Sequence, residues 1–447
     1  MPEFYSGWLI LLPVTKCVFS YCLARVYLLA GFVTGEEYTA SYAYFSCAGA
    51  RMKIIVNGKG YPEKRNIIVN DSHHYLNLKY KNIWFYRNAV RQKIRKANKL
   101  FIFAPLPFSV PDDAQIIHLF NEVACTKKRW MATFETEIPR VLPVPGMAKL
   151  HNPQLQKQLK LIAAPQCTAL LAISDATKKI QIKLLQEFPQ QAAAILPKLH
   201  TLHPPQAIIC DRARPVNQAK LTFSFVGNEF YRKGGAEVVL AFSELLAEGI
   251  IHPDSVQVNL TGNLKHRYNI AHGAQQDDAQ FHQRIEDLIN QQTIFRHETF
   301  LQNDRLMKML EQTDVGLLPT WQDTYGFSVL EMQACGCPVI TTNVRALPEI
   351  NPASAGWLID CPLNDMFEIA IGSAQEKLAI RDRIIAQLKQ IITQIMAQRE
   401  AISTRSARAL QRIKDQHDPA RFRASLDAFY QQTAQVNRAP GVSAKQI

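Results

Sequence analysis

The chain has 447 residues, 47% of them hydrophobic, and a formal net charge of +13. That length exceeds what one hydrophobic core usually serves, and the apolar content excludes a disordered chain, so we expect two domains. Residues 1–219 hold 28 Lys and Arg against 13 Asp and Glu, whereas residues 220–447 hold 23 against 25. The excess positive charge therefore belongs to the N-terminal half, which is expected to meet a large anionic partner.

Residues 8–33 are apolar, but Pro13, Lys16 and Arg25 interrupt them. No apolar run reaches the ~18 residues that a membrane-spanning helix needs. A strand pattern typical of the opening of an α/β domain begins at Met52. We interpret residues 1–51 as a non-native extension upstream of a natural start at Met52, with a membrane-proximal segment as the alternative.

Residues 79–99 hold eight basic residues and no acid, with four aromatic residues near the start. Helical spacing places apolar positions on one face: Ile83, Tyr86, Val90, and Ile94 or Ala97. A basic amphipathic helix with aromatic residues is typical of contact with an anionic membrane surface. A solvated helix face is the alternative. Nucleic acid is not expected, because no recognised binding motif accompanies the run.

Four apolar runs in the N-terminal half predict buried strands, at 100–104, 114–118, 130–135 and 169–174. Three of these strands end in polar residues, His118, Glu135 and Ser174. Ser174 is predicted to cap the following helix. The ends of parallel strands gather at one rim of a sheet, so these side chains are expected near each other. For His118, a hydrogen-bonded structural role is an equal alternative.

A glycine turn follows the strand predicted at 221–226. Gly227 ends the strand, and Arg232 and Lys233 precede a helical pattern. A turn of this kind suits a diphosphate, because glycine lets the backbone approach closely and the cations neutralise the charge. The alternative is an ordinary loop with solvated cations.

A second acid-bearing turn lies between residues 319 and 350. Asp323 stands eight positions before Glu331, and Tyr325-Gly326-Phe327 forms the turn before a helix that begins near Ser328. The free N–H groups at the start of a helix favour an anion, and flanking acids accept hydroxyl donors. A phosphate with a sugar on either side would satisfy these groups, which points to a nucleotide-sugar.

These two blocks resemble the retaining glycosyltransferases of family four. That family carries an acid-x7-acid motif followed by a small-residue helix and a Gly-x-Pro-Val strand, and its first acid is usually Glu where this chain has Asp323. Lys233 matches the family's Lys. The family's Arg falls at Asn228, so Arg232 is the candidate to take over that role. Glu135 stands where many members have His.

The resemblance implies an α/β fold of two facing Rossmann-like doubly wound domains, the glycosyltransferase B architecture, with a helical C-terminal tail. The domains are expected at residues 52–214 for the acceptor, 215–375 for the nucleotide-sugar and 376–447 for helices that cross back to the N-terminal domain. The metal-independent reaction would transfer a sugar with retention at the anomeric carbon. No cofactor is expected besides the nucleoside-diphosphate sugar as co-substrate, and no metal.

The resemblance also assigns residues to roles. The catalytic candidates are Asp323, Lys233, Arg232 and His118. The donor-binding candidates are Gly227, Asn228, Arg232, Lys233, Asp323, Tyr325, Gly326, Phe327, Ser328 and Glu331. On the acceptor side the candidates are His118 and Glu135.

The expected acceptor is a hydroxyl of a glycan or glycolipid, in biosynthesis of a cell-surface polysaccharide or of a lipopolysaccharide type. The nine cysteines form no C-x-x-C pair, which is typical of reduced thiols and favours a cytoplasmic protein. The basic stretch 79–99 adds peripheral attachment to the inner face of the membrane as an expectation. The alternatives are a non-catalytic nucleotide-binding module on the same fold or a sugar-nucleotide epimerase.

Overall fold

The structure is a computed structural model that describes residues 51–69, 72–215 and 220–435. The interpretation of residues 1–51 falls outside these ranges, apart from Arg51. Among the described residues, no helix is both long enough and apolar enough to cross a bilayer.

The N-terminal half forms short strands separated by helices. The strands are β1 (Lys53–Val56), β2 (His74–Asn77), β3 (Ile102–Phe103), β4 (Ile116–Phe120), β5 (Val123–Ala124), β6 (Trp130–Phe134), β7 (Cys167–Ala172) and β8 (Leu199–Thr201). Six of them make a parallel sheet in the order β2-β1-β4-β6-β7-β8, and β3 pairs with β5 outside it. All five residues of β6 are buried, as expected for a parallel strand covered on both faces.

The C-terminal half forms a second parallel sheet of six strands. They are β9 (Leu221–Glu229), β10 (Val256–Asn263), β11 (Phe295–Glu298), β12 (Val315–Leu318), β13 (Val339–Thr342) and β14 (Trp357–Ile359). Their order is β11-β10-β9-β12-β13-β14. This third-second-first-fourth-fifth-sixth arrangement is the doubly wound order of dinucleotide-binding folds.

Helices connect the strands and cover both sheets. They are α1 (Tyr61–Asn66), α2 (Ile83–Lys93), α3 (Pro153–Ala163), α4 (Asp175–Gln186), α5 (Pro189–Ile195), α6 (Gly235–Ala247), α7 (Ala279–Gln291), α8 (Asn303–Glu311), α9 (Phe327–Ala334), α10 (Leu347–Ile350), α11 (Ala374–Ala397), α12 (Glu400–Gln416) and α13 (Pro419–Gln435). The Ser174 hydroxyl accepts a hydrogen bond from Thr177 N at 3.0 Å, which confirms the predicted cap of α4.

The three C-terminal helices divide between the two sheets. The apolar face of α11, which includes Ile380, Ile384 and Leu388, is buried in the core of the C-terminal sheet, and α12 joins it there. Only α13 among these three crosses to the N-terminal sheet, where Phe422 and Tyr430 pack in its core. The predicted fold class, two doubly wound α/β sheets with a helical C-terminal end, is confirmed.

Each sheet has a point where the direction of winding reverses. In the C-terminal sheet it lies between β9 and β12, and in the N-terminal sheet between β1 and β4. The loops that follow neighbouring strands diverge there and leave a crevice at the carboxyl edge, which is the usual ligand site of such folds. Two candidate sites follow from the topology alone.

Candidate functional site

The crevice of the C-terminal sheet brings together the two motifs that the sequence singles out. The loop after β9 carries Arg232 and Lys233, and the loop after β12 carries Asp323. Backbone contacts fix the loops to each other, since Trp321 N donates to the Arg232 carbonyl at 3.0 Å and the Thr320 hydroxyl donates to it at 3.1 Å. The two predicted motifs therefore share one site.

Lys233 and Asp323 meet at the centre of this crevice. Lys233 Nζ lies 2.5 Å from Asp323 Oδ2, and Tyr325 N donates to Asp323 Oδ1 at 3.3 Å. Burial alone would raise the pKa of Asp323, but the charge of Lys233, its hydrogen bond and the charge of Arg232 hold that pKa below its ordinary value. Asp323 is therefore a carboxylate, and an ammonium group stands beside it to meet an anion.

Arg232 ties the two loops together. Its Nε and Nη2 donate to the Glu229 carboxylate, both at 2.6 Å, and its Nη1 donates to the Gln322 carbonyl at 2.7 Å. The Arg232 guanidinium, through its hydrogen bond, lowers the pKa of Glu229. Much of the Arg232 fork is thus occupied by the protein. Its predicted contact with a diphosphate stays a prediction, whereas its hold on the acid-bearing loop is direct.

Glycines allow the close approach of backbone in this crevice. Gly234 has φ +86°, and a Cβ there would overlap the Pro319 carbonyl oxygen. Gly326, the N-cap of α9, has φ +97°, and a Cβ there would collide with Leu347. These positive φ values are costly for residues other than glycine. A Cβ at Gly227 would meet the Lys233 side chain, so this glycine leaves room for the cation.

The remaining predicted donor residues lie around the start of α9. Tyr325 is fully buried, and its ring lies 5.2 Å from the Phe327 ring at a tilt of 38°. Ser328 is half-buried in the first turn of α9, and the first N–H groups of a helix have no partner within the helix. Asn228 is exposed near the end of β9. The N-terminus of a helix is the kind of position that suits an anion.

Glu331 lies one turn further along α9 and faces the N-terminal domain. Burial raises the pKa of Glu331, and the charge of Arg65 opposes that rise. Arg65 Nη2 lies 4.0 Å from Glu331 Oε1 and donates to Gln206 Oε1 at 2.6 Å, and its guanidinium sits 4.9 Å above the Phe327 ring. Glu331 is thus a half-buried hydrogen-bond acceptor, and the cation Arg65 of α1 lies beside it.

A second cavity opens at the reversal point of the N-terminal sheet. Its volume is about 620 Å³. It is lined by the loop after β1, by one side of α2 and by the loops after β4 and β6. Glu135 is part of this lining, accepts a hydrogen bond from Asn121 Nδ2 at 3.0 Å, and lies 3.5 Å from Arg140. The cavity is therefore polar and built for hydrogen bonding.

Asn57 and Glu122 face each other at the reversal point. Asn57 Nδ2 donates to Glu122 Oε2 at 2.5 Å. Burial raises the pKa of Glu122 to about 7, although the hydrogen bond from Asn57 and the charge of Lys99 act in the opposite direction. The other polar atom of Asn57, Oδ1, is buried and has no hydrogen-bond partner among the described residues. The pair leaves hydrogen-bonding capacity for a ligand.

His118 does not belong to either site, and its predicted roles in catalysis and acceptor contact are corrected. The strand was predicted to end at residue 118, but β4 runs from Ile116 to Phe120, so His118 is internal to it. The side chain is fully buried, with Nδ1 2.8 Å from the Tyr430 hydroxyl and Nε2 2.9 Å from Thr133 Oγ1. Burial lowers the pKa of His118 to about 3. It is a structural histidine under α13.

Contacts between the two domains lie beside the crevice of the C-terminal sheet. Glu349 accepts hydrogen bonds from Ala176 N at 2.5 Å and Asp175 N at 2.8 Å, and so caps α4 from the other domain. The Tyr325 hydroxyl lies 3.4 Å from His203 Nδ1. Ligand atoms of Asp175, His203 and Glu349 lie within 4.8 Å of one another. Because Glu349 already accepts two backbone N–H groups, this cluster acts as a joint between the domains.

Arg65, Asn57 and Glu122 were not predicted from the sequence as site residues. None belongs to a local motif of the kind that marked Asp323 and Lys233. A signal existed for Asn57, which directly follows the first buried strand and precedes Gly58 and Gly60. For Glu122 no signal existed without the strand order, because only that order places β4 beside β1.

Comparisons with known proteins agree with this architecture. Residues 211–390 match the family model described as glycosyl transferases group 1. An uncharacterized glycosyltransferase of Methanocaldococcus jannaschii is 26% identical over 158 residues, 32% of this chain and 35% of that protein. The chain thus matches about a third of the length of that curated relative.

Two solved structures share the fold over most of their length. A glycosyltransferase from Rickettsia africae has a TM-score of 0.51 at 13% identity and covers 86% of this chain and 90% of its own. A UDP-forming α,α-trehalose-phosphate synthase from Burkholderia xenovorans has a TM-score of 0.53 at 12% identity, covering 86% of this chain and 99% of its own. Residues 211–390 are therefore similar to the glycosyl transferases group 1 family, and the chain has the glycosyltransferase B fold.

Proposed function

We propose that the protein is a retaining, metal-independent glycosyltransferase that moves a sugar from a nucleoside-diphosphate sugar to a hydroxyl of a glycan or glycolipid acceptor. The observation that carries this proposal is the meeting of Lys233 and Asp323 at the reversal point of the C-terminal sheet. A cation for the diphosphate and a carboxylate for sugar hydroxyls stand there together, below the N-terminus of α9.

Each donor residue has a role in this proposal. Lys233 and the first turn of α9 stabilise the charge that develops on the leaving diphosphate. Asp323 orients the sugar through its hydroxyls, and Glu331 accepts the two ribose hydroxyls. Arg232 fixes the acid-bearing loop and adds positive charge beside the diphosphate. No metal is needed in this scheme, because ammonium, guanidinium and backbone N–H groups neutralise the phosphates.

The N-terminal cavity receives the acceptor. Its amide and carboxylate groups, Asn57, Asn121, Glu122 and Glu135, are those that recognise sugar hydroxyls. We propose that the acceptor belongs to biosynthesis of a cell-surface polysaccharide or lipopolysaccharide type, with the enzyme at the inner face of the membrane. The alternatives, a nucleotide-binding module without catalysis and a sugar-nucleotide epimerase, predict no glycoside product.

The test separates the roles of the two acids. Glu331→Ala should weaken binding of the free nucleoside diphosphate by about 1–3 kcal/mol, because two hydroxyls lose their acceptor. Asp323→Ala should lower turnover of the nucleotide-sugar, while free nucleotide binds as well or better, because Lys233 loses its salt-bridge partner. Calorimetry with UDP, GDP and ADP, and donor turnover with the matching sugars, measure both effects.

Glu311→Ala, an exposed acid on α8, is the matched control and should change neither quantity. Equal loss of nucleotide affinity in Glu331→Ala and Asp323→Ala would contradict the assignment of roles. A wild-type protein that neither binds nor turns over any of the three nucleotide-sugars would contradict the proposed function. NMR of the anomeric proton in the product decides between retention and inversion.

A further inference from the structure

Helix α2 carries a stripe of apolar side chains that faces solvent. Tyr86, Val90 and Ile94, spaced four residues apart on α2 and at its C-cap, are 53%, 46% and 74% exposed. Single exposed apolar residues are ordinary, but a continuous stripe on one helix indicates a contact surface.

Arginines line the same stripe. Arg87, Arg91 and Arg95 each follow one of its apolar residues, and with Trp84 they surround an open depression of about 410 Å³. Residues 79–99 contain no acid. Within the part of the chain that the structure describes, no cation of this stretch forms a salt bridge. The positive charge of the depression is therefore not neutralised by the protein.

A loop lies beside the N-terminal end of α2. Leu106 N donates to the Lys81 carbonyl at 2.8 Å, which places residues 105–109 next to the turn that precedes α2. Phe108 at the tip is fully exposed and has φ +59°, a conformation that an aromatic residue rarely adopts. Backbone strain that projects an apolar ring into solvent is typical of functional loops.

The other side of α2 lines the cavity of the N-terminal sheet. Asn88, Ala89 and Gln92 belong to its wall. An aromatic cluster joins the two sides, with the Phe85 ring 5.1 Å from Tyr80 and 5.3 Å from Tyr86. Phe85 lines the cavity and Tyr86 lines the depression. One helix about 10 Å across therefore separates the depression from the cavity.

We propose that the exposed side of α2, with Tyr86, Val90, Ile94, the three arginines and Phe108, docks on an anionic membrane surface. The apolar stripe and Phe108 enter the interface, and Arg87, Arg91 and Arg95 bind lipid phosphates. The cavity then opens beside the bilayer, so its ligand is a sugar carried by a membrane lipid. This last step rests on the proposed function, whereas the docking itself does not.

Charge and shape favour a membrane over a nucleic acid. Nucleic-acid grooves are contacted mainly by charged and polar groups, and an exposed stripe of Val and Ile with a projecting Phe has no partner on a phosphate backbone. Apolar residues flanked by cations are what an interfacial helix presents to anionic lipid.

The test uses the full chain and two kinds of vesicle, phosphatidylcholine alone and phosphatidylcholine with phosphatidylglycerol. Wild-type protein should co-sediment with the anionic vesicles only, and less as salt is raised. The triple variant Arg87→Gln, Arg91→Gln, Arg95→Gln should lose about tenfold or more in vesicle affinity. The triple variant Val90→Ser, Ile94→Ser, Phe108→Ser should lose a similar factor, although it keeps every charge.

The matched control removes the same charge elsewhere, with Lys157→Gln, Lys160→Gln and Arg284→Gln at exposed positions. It should bind vesicles like the wild type. Equal vesicle binding by all variants would overturn the proposal. Loss of vesicle binding in the control variant would also overturn it, and so would competition by RNA at equal phosphate concentration. Nucleotide affinity is measured in parallel; its absence in wild-type protein would refute the proposed function and leave the docking result intact.

Discussion

The two reversal points of the molecule differ in how they are built. In the C-terminal sheet, Lys233 and Asp323 are paired at 2.5 Å, and glycines allow the backbone of the loops to approach closely. In the N-terminal sheet, a cavity of about 620 Å³ stays open, and its central pair is Asn57 and the acid Glu122. One crevice is preorganised around opposite charges and the other is roomy and hydrogen-bonding.

The difference matches two kinds of ligand. A diphosphate is a fixed, highly charged group, so its site can be closed and charged in advance. An acceptor sugar presents many hydroxyls and little charge, so its site needs space and neutral or paired hydrogen-bonding groups. In the proposed function the same topology thus serves donor and acceptor through different side chains.

The largest effect is expected from the charged crevice. Lys233→Ala should lower kcat by about 10²–10³-fold, because it removes the ammonium group that stabilises the developing negative charge. Both transfer and donor hydrolysis should fall, since they share the leaving group. Steady-state kinetics with the best donor measure this loss. Lys265→Ala, an exposed cation of the same domain, is the matched control and should leave kcat unchanged.

Stability has to be separated from catalysis in this variant. Lys233→Ala leaves the buried Asp323 without its partner, which destabilises the fold. The double variant Lys233→Ala, Asp323→Asn removes that charge as well and should recover thermal stability while turnover stays low. Normal turnover in either variant would show that the diphosphate does not sit in this crevice.

A smaller effect concerns the glycine backbone of the same crevice. Gly234→Ala should lower the free energy of unfolding by about 2–4 kcal/mol. The left-handed backbone at this position strains any residue with a Cβ, and the new Cβ would also overlap the Pro319 carbonyl oxygen. Gly249→Ala is the matched comparison, because Gly249 has φ +70° but open space around its Cβ position. It should cost only about 1 kcal/mol. Similar losses in urea denaturation of both variants would mean that the loops are not tightly joined at Gly234.

The fold and the crevice of the C-terminal sheet were largely predictable from the sequence. The residues from Asp323 to Glu331 and from Gly227 to Lys233 lie in short segments, where strand, turn and helix signals place the chemistry locally. The structure adds only the pairing of Lys233 with Asp323, which are 90 residues apart in the sequence. Buried, uninterrupted strands such as β12 and β13 also have an unambiguous pattern.

The cavity of the N-terminal sheet was not predictable in the same way. Asn57 and Glu122 face each other only because β1 and β4 are neighbours, and no local spacing encodes that. His118 was misplaced by a two-residue error in the end of β4, and a strand boundary decides whether a side chain is at the rim or in the core. The partner that buries it, Tyr430, is 312 residues away.

The buried Glu122 of the N-terminal cavity should make the stability of the protein depend on pH. Burial raises the pKa of Glu122 from 4.5 to about 7. Between these values the unfolded chain has released the proton while the folded chain keeps it, so the free energy of unfolding falls as pH rises through this window and levels off above it. The loss at pH 8 is at most about 3 kcal/mol.

Glu122→Gln keeps the hydrogen-bonding shape and removes the titration. It should therefore be more stable than the wild type by about 1–3 kcal/mol at pH 8 and equally stable at pH 4, as measured by urea denaturation at both values. Glu187→Gln, an exposed acid of the same domain, should show no such difference. The variant should also lower sugar transfer while donor hydrolysis is unchanged, because it leaves the Lys233 crevice intact. A fall in both activities would mean that Glu122 acts on the donor and that the two crevices are not functionally separate.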